Sequence, residues 1–121
     1  MRRSLERDRL HLLHMRDAAQ SAQEFVHKRE RADLDNDRLF QLALVKAVEL
    51  VGESAYHITD QLKAEHSEIP WRDMIDMRHV LVHNYWRVEL DVVWDTVRDD
   101  LPFVIDRLQQ LIELDDETRQ G

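Results

Sequence analysis

The chain has 121 residues, a length that predicts a single domain. It carries 17 basic and 25 acidic side chains, and a protein with this net charge of −8 is not expected to coat polyanions through its overall field. The lack of cysteine excludes disulfides, thiolate metal sites and a cysteine nucleophile, and it fits a reducing cytoplasm. No apolar stretch approaches the roughly 18 to 20 residues of a membrane span. Because two glycines and two prolines leave little turn chemistry for hairpins, the composition predicts an all-α fold.

The first predicted element is a long amphipathic helix from about Ser4 to Glu30. Its apolar face is interrupted by Asp8 and consists of Leu5, Leu12, Met15, Ala19, Ala22 and Val26. Cap-forming side chains in residues 32–37 end this pattern and begin a second helix, which runs to about Ala64. The apolar stripe of the second helix is wide, so we expect it to be buried on more than one side.

Shorter helices are predicted in the second half of the chain. Pro70 suits the first turn of a third helix, which extends to about Asn84. Residues 85–88 then form a connection, and a fourth helix begins at Glu89 or Asp91.

Pro102 lacks an amide hydrogen and should kink the fourth helix or restart it as a fifth. The tail, residues 115–121, is expected to fray. Long helices with short connections predict an up-and-down bundle of four to five helices, forming one domain over residues 1–121. Apolar surface left uncovered by such a bundle predicts a homodimer that associates through its helices.

Reactive side chains are concentrated in one short apolar segment, residues 78–85. His79 and His83 are four residues apart and share one helical face. The long side chain of Arg78 can reach a group held near that face, and Tyr85 follows where the helix ends. Two imidazoles can transfer the protons of RNA cleavage by a 2′-hydroxyl, and a guanidinium binds the phosphate. This chemistry requires no metal.

Other interpretations of these residues stay open. A single histidine in a helix is usually structural, and two at this spacing can hold zinc with Asp76, although no glutamate stands in the HExxH position. Gly52 permits close helix approach, and Glu53 either needs a partner such as Arg78 or lies exposed on the outer face. The remaining histidines are predicted to be solvated: His11, His14, His27, His57 and His66.

The segment 78–85 resembles the HepT-like toxins of the HEPN superfamily. Their signature is an arginine, a polar residue, three further residues and a histidine, followed by any residue and a tyrosine. Here Arg78, His79, His83 and Tyr85 occupy those positions. The similarity covers about residues 8 to 113 and includes segments that resemble the family's Gly-Glu-Ala, Ile-Pro-Trp and final helix: 51–55, 69–71 and 93–102.

The resemblance implies a metal-independent endoribonuclease toxin without a cofactor, in which the two motifs of a HEPN-like homodimer face a common cleft. It implies that His83 is the catalytic base or acid, that Arg78 holds the phosphate and that His79 fills the polar position. Glu53 and Asn84 would support these residues.

The resemblance also implies that Tyr85 receives AMP from an MntA-type nucleotidyltransferase antitoxin, which blocks RNA cleavage. A competing hypothesis is a noncatalytic HEPN module that binds this partner and is modified by it. A third is a structural bundle in which Arg78 meets Glu53 in the core instead of lining a cleft.

Overall fold

The computed structural model describes residues 2–83 and 89–120, and within these ranges the chain forms helices and no strand. Side chains are described for residues 6–83 and 89–119. The helices are α1 (Arg2–Val26), α2 (Asp33–Asn36), α3 (Arg38–Tyr56), α4 (Asp60–Glu65), α5 (Trp71–His83), α6 (Leu90–Asp95) and α7 (Leu101–Gln120), with a π-helical turn (Thr96–Asp100) between α6 and α7. Within the described ranges, every helix is too short or too polar to cross a membrane.

The all-α prediction is confirmed, but the first helix ends earlier than expected. It ends at Val26 instead of Glu30, and Lys28 then adopts a left-handed conformation with φ of 61°. A left-handed residue cannot continue a right-handed helix, so the chain turns there.

The predicted second helix is divided in two. Asp37 caps the start of α3, where its side chain accepts a hydrogen bond from the amide of Phe40. Thr59 caps α4 in the same way, with its hydroxyl accepting from the amide of Leu62. This second cap interrupts the expected continuous helix after Tyr56.

The α1 helix packs between α3 and α7, and α3 packs between α1 and α5. These helices share one apolar core, whose largest members include Met15, Leu44, Leu101 and Leu108. The expected double-sided burial of the second helix holds only in part, because Leu39 is 78% exposed in the single chain.

Asp8, which interrupts the apolar pattern of α1, is fully buried and hydrogen-bonded. Its carboxylate accepts from the Thr59 amide at 2.9 Å and from the Thr59 hydroxyl at 2.6 Å. The interruption is therefore a tie between the start of α1 and the start of α4.

The helical backbone continues through Pro102 without a break, because the π-helical turn passes directly into α7 at Leu101, so the expected restart of the helix at Pro102 is replaced by a local change of helix type just before it. The described part of the tail belongs to α7, which continues to Gln120, and the fraying of residues 115–121 stays a prediction. Arg9 of α1 contacts this part of α7 through its guanidinium, which lies 2.5 Å from both Asp115 and Asp116.

Candidate active site

The α5 helix begins at a buried anchor. Ile69 and Trp71 are both buried, and the Trp71 indole donates a hydrogen bond to the His66 carbonyl oxygen at 3.0 Å. Met74 and Leu81 are also buried, so one side of α5 faces the core. The other side carries the motif toward solvent.

Gly52 lets α3 and α5 approach closely beside the motif. A Cβ added at Gly52 would collide with the Arg78 Cβ and with the Met74 carbonyl oxygen. The expected role of this glycine is confirmed, and it brings the Arg78 backbone against α3.

Arg78 and Glu53 form an ion pair between Nε and Oε2. The Arg78 side chain is 28% exposed and that of Glu53 is 40% exposed, so the pair lies at the surface and not in the core. The expected partnership is therefore confirmed, while the structural hypothesis required a buried pair.

The other carboxylate oxygen of Glu53 contacts His57. His57 Nε2 lies 3.1 Å from Glu53 Oε1, and because an ionised carboxylate only accepts hydrogen bonds, Nε2 carries the hydrogen. This hydrogen bond is the main cause that lowers the pKa of Glu53 from its ordinary value, and the charge of Arg78 adds to it against the opposing effect of burial. Glu53 is therefore anionic at neutral pH.

His79 and His83 lie side by side on α5. Their ring centroids are 4.5 Å apart with an interplanar angle of 51°, and both side chains are exposed. The prediction that they share one face is confirmed. Asn84 and Tyr85, the other two predicted site residues of this segment, lie outside the described residues.

Asp76 does not join the two histidines. It forms an ion pair with Arg72 at 3.9 Å and lines a groove of about 380 Å³ between α5 and α6. Among the described residues, no three His, Cys, Asp or Glu side chains are grouped to hold a metal ion.

Two side chains near Arg78 escaped the sequence-based prediction. The Arg78 guanidinium carbon lies 5.8 Å from the ring centroid of exposed Tyr56, and the Tyr56 and His57 rings meet edge to face at 5.4 Å. His11, expected to be solvated, is half-buried and stacks on His57 with centroids 5.1 Å apart. The available signal was the spacing of Glu53 and His57, four residues apart on one helical face.

Comparison with known proteins identifies the family of this chain. The model of the family described as "Ribonuclease HepT-like" matches residues 15–111. The chain belongs to the HepT-like ribonuclease family. The matched region of this HepT-like chain contains α3 and α5 entire, and with them Glu53, Arg78, His79 and His83.

Several relatives of the HepT-like chain carry ribonuclease names. A Thermococcus cleftensis protein named "Probable ribonuclease HepT" is 35% identical over 78% of this chain and 86% of its own length. A Methanocaldococcus jannaschii "Putative RNase" is 24% identical over 71% of this chain and 79% of its own. A "Gamma-glutamylcyclotransferase and putative RNase" of the same organism is 22% identical over 87% of this chain but only 47% of its own. No solved structure matches significantly.

Proposed function

We propose that this HepT-like chain is an endoribonuclease that cleaves RNA without a metal ion, through Arg78, His83 and His79. The observation that carries the proposal is that one helix presents two exposed, adjacent imidazoles and, in the preceding position, an arginine whose guanidinium contacts Glu53 at the surface. The ribonuclease names of the family and its relatives support it.

The proposed reaction transfers two protons and exchanges one bond at phosphorus. One neutral imidazole removes the proton of the 2′-hydroxyl as its oxygen attacks the adjacent phosphorus. The bond from phosphorus to the 5′-oxygen breaks, and a protonated imidazole gives its proton to that oxygen. The products are a 2′,3′-cyclic phosphate and a 5′-hydroxyl.

Arg78 stabilises the charge that develops on the phosphate oxygens. The contact of its Nε with Glu53 fixes the side chain and leaves the terminal nitrogens for the phosphate. Because the guanidinium is fixed before RNA arrives, it has less freedom to lose on binding.

The active form is proposed to be a homodimer in which two motifs face one cleft. Val80 and Val82 on α5 are 44% and 39% exposed, so apolar surface lies next to the motif histidines. A second copy packed near this side of α5 would cover them and bring a second set of imidazoles to the RNA.

The biological role proposed is that of a cytoplasmic toxin in a toxin-antitoxin pair. An MntA-type nucleotidyltransferase antitoxin would add AMP to Tyr85, two residues after His83. Each AMP brings a negative phosphodiester and a bulky base to a site that must admit a polyanion. RNA cleavage would then fall through both repulsion and occlusion.

Substitution of the motif tests the proposed chemistry. His83→Ala and Arg78→Ala should each relieve growth arrest on expression and reduce RNA cleavage in EDTA by about 100-fold or more, since each removes a proton-transfer or charge-stabilising group. Arg72→Ala, at an exposed position of the same helix, is the matched control and should cleave normally. Circular dichroism checks that all variants remain helical, and unchanged cleavage by both motif variants would contradict the proposal.

One observation favours a second candidate, the noncatalytic module. The carboxylate of Glu53 already offsets the positive charge of Arg78. A guanidinium that is held in such an ion pair binds phosphate more weakly than a free one. Mass spectrometry of the chain coexpressed with the nucleotidyltransferase, combined with an RNA cleavage assay, separates the two. AMP on Tyr85 without cleavage by the unmodified chain would support the module.

A further inference from the structure

Tyr56 is an exposed aromatic side chain beside the motif arginine. It ends α3, is 58% exposed, and its ring centroid lies 5.8 Å from the Arg78 guanidinium carbon. The core does not need this ring, because most of it faces solvent. Proteins that bind single-stranded RNA commonly pair a cation for the phosphate with an aromatic ring on which the base stacks.

A groove that contains three imidazoles begins directly after Tyr56. It has a volume of about 430 Å³ and lies between α1 and α3, with His11, His14 and His57 among its lining residues. His11 stacks on His57 at 5.1 Å, and the His11 and His14 ring centroids are 6.2 Å apart. Small side chains leave this space open beside the rings: Ala18, Ser21 and Ser54.

One carboxylate joins this groove to the motif. Glu53 contacts His57 through Oε1 and Arg78 through Oε2, so the imidazole and the guanidinium stand on opposite edges of the same group. An RNA strand with one phosphate at Arg78 would therefore have its neighbouring phosphate near His57, on the other side of Glu53.

We propose that Tyr56 and the imidazole groove form a nucleotide-binding subsite for the RNA residue next to the cleaved phosphate. Tyr56 stacks on the base, and the imidazoles of His57 and His11 bind the adjacent phosphate. The subsite rests on the proposed ribonuclease function, since that function puts an RNA phosphate at Arg78.

Protonation should strengthen this subsite. Burial is the main cause that lowers the pKa of His11, and the nearby His57 and His14 lower it further. The groove therefore disfavours a positive charge on the His11 ring. The groups that face the imidazoles are mixed in sign: Arg7, Asp8 and Asp17 on α1, Glu53 on α3 and Arg78 on α5. A bound phosphate adds negative charge and favours the protonated ring of His11, so RNA binding takes up a proton and is tighter at pH 5.5 than at pH 8.

The stacking half is tested with a fluorescein-labelled 2′-O-methyl RNA hexanucleotide, which cannot be cleaved, by fluorescence anisotropy. Tyr56→Ala should weaken binding about tenfold, because stacking of one base is lost, while Tyr56→Phe should bind like the wild type. Phe103→Ala is the matched control: Phe103 is also exposed and lies 5.2 Å from the Arg107 guanidinium carbon, on α7. This control should not change the affinity.

The phosphate half is tested by the pH dependence of the same binding. His11→Gln, which leaves the Glu53 contacts intact, should flatten the rise in affinity between pH 8 and 5.5 and weaken binding about tenfold at pH 5.5. His57→Gln should also weaken binding, because it removes the second imidazole that contacts the phosphate, and exposed His27→Gln should leave the affinity unchanged. Circular dichroism and light scattering are recorded for each variant.

The outcomes separate the subsite from the proposed function. Wild-type affinity in Tyr56→Ala and His11→Gln, with cleavage still lost in Arg78→Ala, would overturn the subsite and leave the ribonuclease in place. Conversion of a dimer to a monomer by Tyr56→Ala would also overturn it, since Tyr56 would then be an interface residue. A wild-type chain that binds the hexanucleotide through Tyr56 and His11 but cleaves no RNA would contradict the ribonuclease, and it would overturn the subsite as part of a cleavage site while leaving an RNA-binding surface.

Discussion

Asp8 shows how a single residue can oppose the pattern around it and still belong to the fold. A carboxylate in an apolar core is costly unless its oxygens are satisfied, and the amide and hydroxyl of Thr59 satisfy both. Thr59 also caps α4, so its backbone amide binds Asp8 while its hydroxyl binds both Asp8 and the first turn of α4.

We expect Asp8→Asn to lower the free energy of unfolding by about 1 to 3 kcal/mol. The substitution keeps the size of the side chain but removes the charge that strengthens both hydrogen bonds, and the new amide N–H forces the Thr59 hydroxyl to accept where it now donates. Urea unfolding followed by circular dichroism measures the effect. Asp17→Asn, on the exposed side of the same helix, should change stability by less than about 0.5 kcal/mol, and an equal loss in both variants would contradict the tie.

The imidazole of His11 gives stability a pH dependence with a definite sign. Its pKa is lowered in the folded chain, so the unfolded chain binds the proton first and folding loses stability as the pH falls below 6.5. Urea unfolding of His11→Gln at pH 7.5 and 5.5 should therefore show a smaller acid loss than the wild type. Glu53 does not obscure this comparison, because its lowered pKa places its own acid loss below about pH 4.5. An acid loss as large in His11→Gln as in the wild type would refute the assignment to His11.

At the scale of elements, the contact between α3 and α5 decides where the motif points. Gly52 provides the space, and the buried side of α5 provides the orientation. The Arg78 backbone is thereby held against α3, where Glu53 and Tyr56 follow within the next helical turn.

Gly52→Ala should cost about 1 to 3 kcal/mol of unfolding free energy, although alanine favours a helix more than glycine does. The added methyl group would meet the Met74 carbonyl oxygen and the Arg78 Cβ, neither of which can rotate away, so α5 must shift. The same shift should reduce RNA cleavage by moving Arg78. Lys46→Ala, on the exposed side of α3, is the control and should affect neither property; a more stable Gly52→Ala variant would show that the close approach is dispensable.

The whole molecule is acidic, with a net charge of −8, yet its proposed site is built from arginine and imidazoles. Acidic side chains outside the site keep RNA from binding over the entire surface, so affinity must come from a few groups at one location. The exposed valines on α5 add an apolar element that a second copy would cover.

Light scattering is expected to give twice the chain mass of 14.5 kDa at micromolar concentration. Val80→Glu should shift the mass toward one chain, because it would bury a charge in the proposed interface. Leu39→Glu, at an exposed apolar position on α3, should remain a dimer. A single-chain mass for the unaltered protein would contradict the homodimer.

Helix type and approximate order follow from local physics and are readable in the sequence. The period of apolar residues, the scarcity of glycine and proline, and Pro102 predict helices whose starts lie close to those observed. The division after Tyr56 was missed because the cap at Thr59 depends on a weak local preference, reinforced by distant Asp8. The contact of Asp115 with Arg9 was missed because the two residues lie more than a hundred positions apart in the sequence.

The sequence by itself determined the helical class, the family and the spacing that puts His79 and His83 on one face, since these depend on neighbours within a few residues. Only the tertiary structure decided that the Arg78 ion pair is at the surface, and that Tyr56 and His11 belong beside it. The physical reason is that these contacts join different helices. The geometry of these contacts depends on how α1, α3 and α5 pack, and it cannot be predicted from the apolar periodicity of any one helix.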